Sequence, residues 1–167
     1  REGLSTGILN VHFTPGGHLL AGGTNRGWPV RGTDPFALER IEWTGVVPFE
    51  IQRITINHDG FDVLFTKPLD PVTGSDPASY VLGTFTHEYH AGYGGPELDR
   101  TVPQVEAVSL SADGLTARLV LDTLRVGHVH EFDLRTLRSR DGETLVHRDA
   151  YYTVNRVPRA HPVPTDP

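Results

Sequence analysis

The chain has 167 residues, enough for one ordinary domain with a core, or one domain plus a docked piece. Its net charge of -6 at pH 7 argues against the basic face that nucleic-acid binding needs, so no nucleic acid is expected as a partner. The absence of cysteine excludes disulfides, thiolate zinc sites and iron–sulfur clusters, while 18 glycines and 13 prolines favour short, punctuated strands over long helices.

Methionine is also absent, so a chain opening at Arg1 is expected to be a processed or partial product of something longer. No apolar run reaches the length of a membrane-spanning helix, and no signal peptide is visible. Asn10-Val11-His12-Phe13 reads as a strand, Thr14-Pro15-Gly16-Gly17 as a turn, and His18 to Gly22 as the returning strand. A glycine-rich loop from Gly22 to Gly32 carries Trp28, and Leu38 to Trp43 reads as a third strand. Three short strands bury little alone, so this piece needs a partner surface.

Val46-Val47-Pro48-Phe49 marks a boundary, after which alternating strands dominate. Glu50 to Asn57 is one strand, closed by the His58-Asp59-Gly60 turn. Phe61, Val63 and Phe65 then give the next strand an apolar inner face. Lys67 to Pro77 is a proline-rich connection, with Asp76 to Ser79 able to form one helical turn. Tyr80 to Tyr89 reads as a strand, and His90 to Thr101 as a long glycine-containing loop. Strands follow at Val105–Leu110, Leu115–Leu121, His128–Leu134 and Ala150–Asn155, before a proline-rich tail. Seven or so short strands with turns every eight to twelve residues indicate an all-β, immunoglobulin-like antiparallel β-sandwich.

Nine histidines raise the question of a metal. In a strand, Glu88 and His90 share one face and His87 points to the other, so Glu88 and His90 can approach a divalent ion together. His128 and His130 share a face of another strand, but Phe132 and Leu134 continue it, so His130 reads as a core residue with its ring nitrogens hydrogen-bonded. A site of His87, Glu88, His90 and His128 requires their two strands to be neighbours, and a divalent metal is the one cofactor left open. Asp70 and Asp76 are weaker calcium candidates, since their spacing does not fit the helix–loop–helix pattern and a solvated turn explains them as well. Tyr89 and Tyr93 flank a loop and are candidates to stack on a sugar ring; Trp28 and Trp43 read better as packing residues. No nucleophile elbow, P-loop or dinucleotide fingerprint is present.

Several segments together carry a family resemblance. They are Asp59-Gly60-Phe61, Phe65-Thr66-Lys67-Pro68, Asp76-Pro77-Ala78-Ser79-Tyr80, Tyr93-Gly94-Gly95-Pro96-Glu97, Ser111-Ala112-Asp113-Gly114-Leu115, Leu124 to Val129 and Ala150 to Asn155. The chain resembles the C-terminal region of large exported bacterial proteins related to soluble sorbosone and glucose (pyrroloquinoline-quinone-type) dehydrogenases, which often carry cytochrome c or haem-binding domains. Gly23 to Trp28 and Leu38 to Gly45 resemble the last blade of their β-propeller. The resemblance implies a partial blade over residues 1–48, an immunoglobulin-like sandwich over 49–158 and a flexible tail over 159–167. It implies a secreted or periplasmic protein whose quinone-binding residues lie in other blades, so no cofactor and no catalytic residue is carried onto this chain.

The expected function is therefore a non-catalytic structural or interaction module, partnered by the remaining propeller blades or neighbouring domains of a longer protein. The alternatives are a carbohydrate-binding module using Tyr89 and Tyr93, and, behind it, a histidine-based metal site.

Overall fold

The computed structural model describes residues 3–25 and 32–160. Trp28, most of the loop around it and the tail from residue 161 lie outside the described residues. The chain divides into two compact units, residues 1–46 and 47–167.

In the first unit, β1 (Ile8–Phe13), β2 (Leu19–Thr24) and β3 (Phe36–Ile41) form an antiparallel sheet in chain order. The β1–β2 turn closes through the Gly17 N–H donating to the Thr14 carbonyl at 2.9 Å, as the Thr-Pro-Gly-Gly run demands. Residues directly opposed in register share a face. Val11 and Phe13 of β1 lie opposite Ala21 and Leu19, on one face; Leu38 and Phe36 of β3 lie opposite Gly22 and Thr24, on the other. Both faces are thus apolar, yet Val11, Phe13, Leu38 and Phe36 are 56%, 72%, 74% and 76% exposed. Only Ala21 of these three strands is fully buried.

The second unit is a β-sandwich. One sheet runs β4 (Ile51–Ile56), β5 (Gly60–Phe65), β9 (Thr116–Leu121), β8 (Val105–Leu110); the other runs β11 (Asp149–Val154), β10 (His128–Asp133), β6 (Val81–Thr86), β7 (Leu98–Thr101). All pairings are antiparallel. The alternation of β5 and β9 is realised: Phe61, Val63, Phe65, Ala117, Leu119 and Leu121 are buried, while Asp62, Leu64, Thr116, Arg118 and Val120 between them are only partly so. Phe61 joins the sheets, its ring lying 5.2 to 5.4 Å from the rings of Phe132, His130 and Tyr152 on the opposite sheet. Burial of each such aromatic contributes about 1.5–3 kcal/mol before conformational entropy is counted.

Two features of this sandwich follow from local chemistry. A β-carbon on Gly60 would stand 2.0 Å from the Leu119 carbonyl oxygen, so the β5–β9 approach requires glycine there. The proline-rich connection holds a short helix, α1 (Pro71–Ser75), and a 3-10 turn (Pro77–Ser79). The Asp70 carboxylate accepts from the Thr73 N–H at 2.9 Å and that of Asp76 from the Ala78 N–H at 3.0 Å. The two aspartates weighed above for calcium are thus helix caps, each followed by proline at the first helical position.

Candidate functional site

The residues singled out for chemistry fall on the segment between β6 and β8 and on the start of β10. β6 ends at Thr86, because its ladder with β7 closes at the Thr86–Leu98 pair. His87-Glu88-Tyr89-His90 therefore lies in a loop, which corrects the expectation of a shared strand face for Glu88 and His90. The loop turns through Gly92, Gly94 and Gly95, with Gly94 in the left-handed region at φ +72°. Two histidines pin it. The Nδ1 of His87 lies 3.0 Å from the Pro96 carbonyl and its ring rests edge-on to Phe85; the Nδ1 of His90 accepts from the Gly92 N–H at 3.0 Å.

These contacts decide how far the metal set can act together. The lone pair of His90 Nδ1 is taken by Gly92. Both nitrogens of His128 already face protein oxygens, Nδ1 the Val126 carbonyl and Nε2 the Asp99 carboxylate, each at 3.1 Å. Only His87, with Nδ1 donating to a carbonyl, keeps Nε2 in the orientation typical of a metal ligand. Among the described residues, no three histidine, aspartate or glutamate side chains are grouped to hold a metal ion. His87, Glu88, His90 and His128 thus do not form the shared site that neighbouring strands were expected to build.

Tyr89 and Tyr93 stand fully exposed on the pinned loop, at 102% and 109% of the reference surface. Trp43, two residues past the end of β3, is exposed as well.

His130 is the buried member of the His128-Val129-His130 run, with no exposed surface. It stands in register between Thr84 of β6 and Tyr152 of β11 and meets Phe61 across the core. Its Nε2 accepts from the Arg125 N–H at 3.4 Å, which in the neutral ring leaves the proton on Nδ1, where no protein acceptor meets it. The core placement was legible; full hydrogen bonding of the ring was not realised. Burial, reinforced by the nearby positive groups of His128 and Arg125, pushes the His130 pKa below the ordinary histidine value.

The centre of polar chemistry that sequence reasoning missed is the seat of β7. Asp99 holds a left-handed backbone, φ +54°, the one such non-glycine residue among those described. Arg125 donates to the Asp99 carbonyl at 2.9 Å, to the Asp99 carboxylate, and to Thr101 Oγ1 at 3.3 Å. The Arg125 guanidinium first, and His128 second, hold the Asp99 carboxyl below the usual carboxylate range. Arg100 bridges Glu97 at 2.6 Å and Glu131 at 2.5 Å, with its guanidinium 5.4 Å from the centre of the Phe85 ring. Nothing in the order of residues 97–101 signals this arrangement.

Among the described residues no helix is long and apolar enough to cross a membrane. No protein-family model matches the chain, and no curated protein matches it. Among solved structures it is similar to the N-terminal part of the bacterial S-layer protein SbsC, at 24% identity and a TM-score of 0.50, over 65% of this chain and 24% of that one. Two other structures of SbsC, one of domains 1–6 and one of residues 31–844, give 24% identity and a TM-score of 0.49 over 65% of this chain and 14% of theirs. The chain thus spans less than a quarter of the length of these structures, and the likeness is one of fold.

Proposed function

We propose that this chain is a non-catalytic structural and interaction module of a secreted or periplasmic multidomain bacterial protein of the sugar-dehydrogenase-like kind. Residues 1–48 supply strands of a terminal β-propeller blade, residues 49–158 form an attached sandwich, and the partners are the remaining blades or neighbouring domains. The observation that carries this reading is the first sheet, whose two faces are both apolar and both exposed at Val11, Phe13, Phe36 and Leu38. A sheet that needs cover on both sides is what a blade stacked between other layers requires. Any quinone chemistry belongs, in this reading, to the parent protein. The S-layer likeness adds one point of support: there, too, a fold of this kind is a fraction of a longer chain at the cell surface. The test is the denatured mass of the polypeptide in its source cells, read by immunoblot and mass spectrometry. A species much larger than 167 residues, containing these residues, is the expected result; a species of this length alone overturns the reading.

A second reading, carbohydrate binding, is favoured by one specific observation: Tyr89 and Tyr93 are fully exposed on a loop pinned by His87 and His90. Rigid, exposed aromatic rings present stacking surface at little ordering cost. Affinity electrophoresis on a panel of polysaccharides tests it. Retardation abolished by Tyr89→Ala with Tyr93→Ala supports sugar binding, and unretarded migration on every gel rejects it.

A further inference from the structure

Between the buried Phe85 and the buried Pro103, every residue from His87 to Val102 is exposed. This segment holds the tyrosine-bearing loop and all of β7, and it places no side chain in the core. Its ladder with β6 has only two registered pairs, Thr84–Thr101 and Thr86–Leu98, with a register shift between them. What seats β7 is polar. Arg125 of the β9–β10 connection grips Asp99 and Thr101, His128 reaches the same Asp99 carboxylate, Arg100 spans to Glu131 of β10, and Thr84 and Thr101 share a hydrogen bond of 2.6 Å. Asp99 is meanwhile kept in a backbone conformation that side chains rarely adopt.

The geometry points to β7 as an ionically latched strap. The Arg125–Asp99 and Arg100–Glu131 pairs hold residues 87–102 against the β6 edge, and the strap opens as a unit while the sandwich stays folded. Leu82 of β6 belongs to the sandwich core, and the strap meets Phe85 through the His87 ring and the Arg100 guanidinium; exposed ion pairs, by contrast, are individually weak and screened by salt. An element with few buried apolar contacts and largely exposed hydrogen bonds belongs to the low end of local stability. Opening would free the Tyr89–Tyr93 loop and uncover the hydrogen-bonding edge of β6, which β7 now occupies. The device stands whether or not the tyrosines bind sugar.

Amide hydrogen exchange on the full chain at constant pH tests it, with salt raised from about 0.01 M to about 1 M so that the screening length falls from about 30 Å to about 3 Å. The amides of Leu98–Thr101 that bond to β6 are expected to be protected at low salt and to exchange roughly tenfold faster at high salt, the combined effect of two exposed pairs of ordinary strength. Amides of β5 and β9 should be unchanged, which also certifies that the protein remains folded. Asp99→Asn, which tolerates the left-handed backbone but removes the charge, and Arg100→Gln should each reproduce part of the acceleration at low salt. The inference is overturned if the β7 amides exchange as slowly as those of β5 at both salts, if they are unprotected at both, or if all amides accelerate together.

Discussion

The two units use similar strands to opposite ends. In the sandwich, apolar residues at alternate positions of β5 and β9 disappear into a core shared with β6 and β10, and Phe61 touches three rings of the facing sheet. In the sheet of residues 8–41, apolar residues lie on both faces and stay exposed. A strand pattern thus fixes a strand, but whether it fixes a core depends on what stands opposite. The first unit reads as a layer and the second as a self-sufficient fold.

The strongest way to break this contrast is to cut matching apolar side chains from each unit. Phe61→Ala should destabilise the sandwich by about 3–5 kcal/mol, since it removes a ring with no exposed surface from the junction of the sheets. Phe13→Ala should shift stability by no more than about 0.5 kcal/mol. Urea unfolding followed by fluorescence measures both, and equal losses would mean that the first sheet has a core of its own.

A smaller effect sharpens the account of the connection between β5 and β6. The Tyr80 hydroxyl donates to the Gly74 carbonyl at 2.7 Å inside the protein, and burial pushes its pKa well above the ordinary tyrosine value. Tyr80→Phe leaves that carbonyl without its donor and should cost about 1 kcal/mol in the same urea assay.

The pH dependence should be smaller still, and it is specific to the sandwich. The folded pKa of His130 lies below its unfolded value of 6.5, so the unfolded chain takes up the proton first. The contribution is fully present above pH 6.5 and is lost as pH falls from 6.5 through the lower folded value. His130→Phe should flatten this part of the stability–pH curve, and an unaltered slope would show that other groups set it. At the bottom of the scale, Phe36→Ser with Leu38→Ser should leave sandwich stability within about 0.5 kcal/mol while reducing self-association in sedimentation velocity.

How much of this was legible in the sequence follows the same division. Strands whose alternation is enforced by a core, such as Phe61-Val63-Phe65 and Ala117-Leu119-Leu121, could be read directly. The three strands before the boundary were legible as strands, through their turn residues. β7 and the true end of β6 were not, because both are set by pairing between Thr86 and Leu98 and by an arginine that arrives from the β9–β10 connection. The metal expectation at His87, Glu88, His90 and His128 depended on a strand continuing past Thr86, and a loop stands there instead. The capping roles of Asp70 and Asp76 were within reach, since each precedes proline at the start of a helical turn. His130 could be placed in the core from Phe132 and Leu134, but its unpaired Nδ1 depends on neighbours from three other strands.

The most direct test of the central contrast is the equilibrium unfolding of residues 47–160 made without residues 1–46. The account predicts a single cooperative urea transition, with protected amides in β5, β6, β9 and β10. A fragment lacking any cooperative transition would contradict it, showing that the sandwich does not carry its own stability.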